Sequence, residues 1–275
     1  MSDFYTWEDL QSEYDDVRWL WHGWIPNGYV TMIAADPGAG KSMLALAVVD
    51  KVLTGGTWFD GIHKYTADQL HDVLWVECEA GEAFHIQRAR KMGINLSRIR
   101  TMRQFGEMQS TPSLAGNRED VKRLGTMLQD DHVALCIIDS LSGAITGVDE
   151  NAAEVGKIVQ RLSEIARDTG KPIILIHHMN KTNARTRSGA DTPPSIADIR
   201  GSSAVAQHCR VIWALDDPYS DPAQPRMTCI KNNLAAKPHP IRLLIHPDGY
   251  LVGDGDIQRG PSAMRSGQYR SDWDG

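Results

Sequence analysis

Residues 35–42 read ADPGAGKS, between an apolar run at residues 29–35 and a helix-spaced stretch, MLALAVVDKVL, that follows at once. Few short sequences constrain a fold as tightly, because such a loop works only where a strand delivers it and a helix N-terminus continues it. Glycines let backbone N–H groups turn toward phosphates, a lysine reaches the β and γ phosphates, and a serine hydroxyl holds Mg2+. Gly38, Gly40, Lys41 and Ser42 fit those roles, and Asp36, Pro37, Ala39 and Met43 complete the nucleotide-binding candidates. One position departs from the pattern G-x-x-x-x-G-K-[ST]: its opening glycine is Ala35.

Beyond the loop, runs rich in Val, Ile and Leu alternate with helical segments, the pattern of βαβ units and a mostly parallel sheet, so the fold class is α/β. A strand at residues 29–35 and a helix at about residues 41–53 frame the loop. VLWVE from Val73 leads into EAFHIQRARKMG, ALCIID spans residues 134–139, a helix is expected from about Glu150 to Thr169, and PIILIHH spans residues 172–178. After a polar segment come RGSSAVAQHC, RVIWAL, MTCIKNN and IRLLIHPDGYLV, the last expected as a hairpin turning at Asp248-Gly249. Antiparallel strands should therefore close the sheet. Residues 1–24 are expected as an N-terminal extension, 25–255 as one domain with helices flanking a mostly parallel sheet, and 256–275 as a flexible polar tail.

Composition narrows the functional classes. The net charge of −6 argues against a surface that coats nucleic acid by bulk electrostatics, so any such contact must be local. No apolar run approaches the ~20 residues of a membrane span. The acidic, aromatic start lacks the form of a signal peptide, and a cytoplasmic protein is expected. Cys78, Cys136, Cys209 and Cys229 are widely spaced without a C-x-x-C pair, which favours buried thiols over disulfides or zinc.

Several further residues have the chemistry that a nucleotide loop needs. Asp139 ends an apolar strand, the form of a Walker B carboxylate that would hold Mg2+ together with Ser42; ATP and Mg2+ are the expected ligands. Glu77 and Glu79 follow the VLWV run and, two apart, share a strand face, so either could orient the attacking water. His177 and His178 end PIILIHH at the strand edge where α/β sheets bind ligands. Lys181, Arg185 and Arg187 lie in KTNARTRSG, a loop equally able to track a phosphate backbone or simply to be solvated.

Taken together, ADPGAGKS, VLWVECEAGE, CIIDSLSG, the block from ENAAEVGK to HHMNK, and IRGSSAVAQHCR resemble RecA-fold P-loop ATPases of the RepA-like and DnaB-like hexameric helicase group. The resemblance covers roughly residues 21–252, and HHMNK followed by RGSSA is its most specific part. It implies that Glu79, rather than Glu77, is the catalytic carboxylate and that His178 senses the γ-phosphate. Arg210 would reach in trans into a neighbouring subunit's site, where Lys231 would approach the same nucleotide; the alternative for Arg210 is a plain strand cap. A homo-oligomeric ring, commonly hexameric, with single-stranded DNA in its channel is also implied. A bare core without a primase or DnaB-type N-terminal domain is expected, in the manner of RepA-like proteins of plasmid or phage type. The rival expectation is an ATP-switched recombination mediator or helicase loader that does not unwind DNA.

Overall fold

The computed structural model describes residues 5–11, 16–103, 111–115, 117–149, 153–180, 193–201, 203–218, 221–246 and 250–253. In chain order the elements are helix α1 (Trp7–Gln11), strands β1 (Trp19–Trp21), β2 (Ile25–Pro26) and β3 (Val30–Ala35), helix α2 (Lys41–Thr54), strands β4 (Gly56–Thr57), β5 (Lys64–Tyr65) and β6 (Asp72–Glu77), and helix α3 (Glu82–Lys91). They continue with β7 (Ile99–Thr101), α4 (Arg118–Leu128), β8 (Val133–Asp139), α5 (Leu141–Ala144), α6 (Ala153–Thr169), β9 (Ile173–His178) and α7 (Ser203–His208). Strands β10 (Val211–Asp216), β11 (Arg226–Asn232), β12 (Ile241–Ile245) and β13 (Leu251–Gly253) complete the described chain.

Among the described residues nine strands form one sheet, in the order β13-β12-β11-β10-β3-β9-β8-β6-β7. From β10 to β7 every pairing is parallel, and β10 to β13 pair antiparallel. The expected sheet is thus present, and β12 and β13 form the expected hairpin; its Asp248-Gly249 turn lies outside the described residues.

Strand periodicity divides the core into two layers. Ile33, Leu135, Ile137, Ile174 and Ile176 face α2, whereas Met32, Cys136, Ile138, Ile173 and Leu175 face the layer that holds α4 to α7. Helix α2 is apolar almost all round, with Leu44 to Val49 buried without a break, because it is covered on several sides. Helix α6 instead buries the stripe Val155, Val159, Leu162 and Ala166, at helical spacing. Helix α4 starts at Asn117, whose side chain accepts from the Glu119 N–H at 3.0 Å.

The N-terminal stretch contributes to this core. Trp21 stacks on Trp58 at 4.9 Å and on Trp24 at 5.1 Å, and Trp213 of β10 meets Trp21 and Trp24 edge-on. Two of the indole N–H groups have partners: Trp21 donates to Asp60 at 2.8 Å and Trp213 to the Trp24 carbonyl at 3.2 Å. Residues 19–24 therefore pack into the domain. All four cysteines are free and buried. Among the described residues no helix is long and apolar enough to cross a membrane. The expected tail at 256–275 lies outside the described residues.

Candidate functional site

The loop after β3 and the first turn of α2 form an open cradle. Gly38 and Gly40 have φ of +80° and +87°, conformations that turn N–H groups outward and that L side chains rarely adopt. Gly40 caps α2 without a side-chain hydrogen bond, so the first N–H groups of the helix face outward, where an anion is favoured. The departure at Ala35 is harmless because Ala35 closes β3 in the strand and is not among the positive-φ residues. Lys41 is buried and its Nζ donates to the carbonyls of Ala35 at 3.2 Å and Asp36 at 2.9 Å. Burial pushes its pKa down, against the pull of Asp139, Asp36 and Glu79. These features fit a bound nucleotide phosphate, with Met43 one residue beyond Ser42 on the same helix.

Period-two alternation brings the strand ends together. Val73 and Trp75, Leu135 and Ile137, and Ile174 and Ile176 face α2, so Glu77, Asp139 and His178, two residues further along each strand, lie on that side. Glu77 and Asp139 are register partners on neighbouring strands. Asp139 is 6% exposed, bonds the Ser42 hydroxyl, and has one carboxylate oxygen, Oδ2, without a hydrogen-bond partner. Burial pushes its carboxyl up to about 6, helped by Glu77 and Glu79 and opposed by Ser42 and His85.

Glu77 is almost fully buried, and its oxygens accept from the N–H groups of Glu79 at 3.0 Å and Gly81 at 3.2 Å. Trp75 Nε1 donates to it at 3.3 Å, and His85 Nε2 stands 3.1 Å away. Burial would raise its carboxyl, but the bonds from His85 and the two backbone N–H groups outweigh that and hold it below the usual carboxylate range. His85 was not apparent as a candidate in the sequence. The available signal was its place in the first turn of the helix after a strand, where the turn returns over the sheet's C-terminal edge.

Glu79 stands farther out. Its side chain is 48% exposed, accepts from the Ser140 hydroxyl, and lies 3.9 Å from His178 Nε2. The next residue, Ala80, has φ of +57°, a left-handed turn that carries the chain from strand edge to α3. Ser140 also caps α5, accepting from the Gly143 N–H at 3.5 Å. His177 turns to the opposite face, where its ring nitrogen bonds the Arg200 carbonyl at 2.7 Å.

Two expected site residues are not brought to this cradle within one chain. Arg210 precedes β10; its N–H bonds the Val30 carbonyl at the far end of β3. The five residue steps from Val30 to Ala35 separate it from the loop by about 16 Å at the rise of a parallel strand. Arg210 is exposed there. Lys231 pairs with Ile212 near the same end, and its Nζ donates to the Ala206 carbonyl at 2.8 Å. Burial lowers its pKa, Cys209 opposes that, and Arg210 adds to it. Lys181, Arg185 and Arg187 lie outside the described residues.

A family model described as AAA domain matches residues 2–184. DNA repair protein RadA of Bacillus subtilis (strain 168) is 25% identical over 164 residues, 58% of this chain and 30% of RadA, so the chain spans less than a third of that relative's length. The ATPase domain of G40P superposes with a TM-score of 0.59 at 16% identity, covering 90% of this chain and 95% of that one. A DnaB-like replicative helicase, solved with attention to its interactions with primase, also gives 0.59 at 16% identity, over 90% of this chain and 64% of that one. At such identities these structures show a common fold, the RecA-like fold of P-loop ATPases.

Proposed function

The chain belongs to the AAA-domain family designated AAA_25, and from that premise we propose that it is an ATP-hydrolysing, ring-forming protein that moves along single-stranded DNA, a replicative helicase of the plasmid or phage RepA type. The observation that carries the reading is a division of one set of residues between two ends of the sheet. Lys41, Ser42, Asp139, Glu79 and His178 gather at the C-terminal edge, whereas Arg210 and Lys231 stand about 16 Å away at the other end of β3 and β10. Cations so placed do not reach the cradle of their own chain, which supports a reading in which they serve the nucleotide of a neighbouring copy, the logic of an interface ATPase.

In this reading the outward N–H groups of residues 36–43 bind the phosphates, and Lys41 exchanges the carbonyls of Ala35 and Asp36 for phosphate oxygens. Ser42 and Asp139 would hold Mg2+, which when bound draws charge from the β and γ phosphates. Glu79 orients and deprotonates the attacking water. His178, 3.9 Å from Glu79, passes the state of the γ-phosphate into the segment that starts at Lys181. Arg210, with Lys231 beside it, stabilises the transferred charge in trans, a contribution worth about 10³-fold or more in related chemistry. Lys181, Arg185 and Arg187 contact the DNA.

The test is ATP turnover with and without single-stranded DNA, followed by strand displacement on a forked duplex. We expect several-fold stimulation by DNA and loss of turnover in Lys41→Ala; turnover indifferent to DNA would sink the motor reading. A second reading, a recombination mediator or helicase loader switched by ATP, is favoured by the relative named for DNA repair. It predicts DNA-stimulated turnover with no strand displacement.

A further inference from the structure

Beside the phosphate loop, Glu77 and His85, which the ATPase reading does not use, gather around Asp139, which it does. Glu77, His85 and Asp139 each offer one ligand atom, and these atoms lie within 4.8 Å of one another. His85 Nε2 stands 3.1 Å from Glu77 Oε2 and 3.5 Å from Asp139 Oδ2. Two atoms that each bind one ion at about 2.1 Å are about 3.0 Å apart at a right angle and about 3.4 Å apart at the tetrahedral angle, so both spacings suit a shared ion without rearrangement. Asp139 Oδ2 is buried and has no hydrogen-bond partner, and it points at the imidazole. The other ligands are held in place: Glu77 Oε1 is fixed by two backbone N–H groups, Oε2 faces His85 and accepts from Trp75 Nε1 at 3.3 Å, and the imidazole packs on the Trp75 ring at 5.2 Å.

We propose that Glu77, His85 and Asp139 are the protein ligands of a divalent transition-metal site, for an ion of the Zn2+ or Co2+ class, that shares Asp139 with the nucleotide site. The imidazole separates it from the Mg2+ position at Ser42, because Mg2+ takes oxygen ligands in octahedral geometry while imidazole suits the borderline transition ions. An ion there would tie the first turn of α3 to the ends of β6 and β8.

The site is testable in chelator-treated, untagged, nucleotide-free full-length protein, so its failure would leave the ATPase reading standing. Titration with Co2+, followed by its visible absorption, should show a single ion per chain that excess Mg2+ does not displace. His85→Ala and Glu77→Gln should each weaken Co2+ at least about tenfold, and Ser42→Ala should leave it unchanged. Unaltered Co2+ affinity in a folded His85→Ala protein overturns the proposal, as does loss of the ion in Ser42→Ala with retention in His85→Ala. Should the histidine variant fail to fold, proton NMR of wild-type protein with one equivalent of Co2+ decides: a hyperfine-shifted, exchangeable imidazole N–H signal is expected, and its absence overturns the site.

Discussion

At the residue scale, Asp139 carries conflicting demands, since a buried carboxylate that suits a cation is a liability without one. Its folded pKa of about 6 exceeds the ordinary 3.8, so below 3.8 it is protonated in both states and does not affect stability. As pH rises from 3.8 to 6 the unfolded chain ionises first, stability falls, and above 6 the penalty is constant at on the order of 2–3 kcal/mol. Asp139→Asn should therefore melt higher than wild type in the absence of nucleotide and metal, with a larger gain at pH 7.5 than at pH 5, and should lose ATP turnover. A lower melting temperature at both pH values would contradict this account. Ala80 is a second such residue: its left-handed φ costs about 1 kcal/mol, so Ala80→Gly should raise the melting temperature by a degree or more, as calorimetry would show.

At the scale of elements, the site depends on how closely α5 approaches the end of β6. Gly143 leaves no room for a side chain: a Cβ there would sit 2.4 Å from the Cys78 carbonyl oxygen and 2.8 Å from Glu79 Cγ. Its backbone φ is not in the left-handed region, so the requirement is one of space. Gly143→Ala should push α5 from β6 and separate Ser140 from Glu79. We expect a loss of about 1–3 kcal/mol in denaturant unfolding together with reduced turnover. Turnover kept at the wild-type level would show that the contact of Ser140 with Glu79 is dispensable.

At the scale of the whole molecule, the placement of Arg210 makes a prediction about copies rather than about one chain. Arg210→Ala and Glu79→Gln should each suppress turnover alone. Mixed in equal amounts they should recover part of it, because some interfaces then join an intact Glu79 to an intact Arg210. No recovery in mixtures that demonstrably exchange subunits would rule out action in trans. The aromatic cluster belongs to this scale too, since Trp21, Trp24, Trp58 and Trp213 join segments far apart in the chain and fasten residues 19–24 to the domain.

The sequence alone determined the loop, the α/β class, the parallel strands with an antiparallel end, and Lys41, Ser42 and Asp139 as candidates. These follow from local patterns: glycine and lysine spacing, apolar runs of strand length, and a carboxylate at a strand end. The resemblance favoured Glu79 and His178, and only the tertiary structure set Glu77 in a buried cluster with Glu79 farther out, and turned His177 and His178 to opposite faces. Which of the adjacent histidines faces the phosphate loop depends on how β9 is set in the sheet, and how far out Glu79 stands depends on the turn at Ala80, which no local pattern encodes. His85 was invisible for the same reason. It comes to Glu77 and Asp139 through the return of α3 over the sheet edge, and its meaning lies in distances of 3.1 and 3.5 Å between atoms on three separate elements.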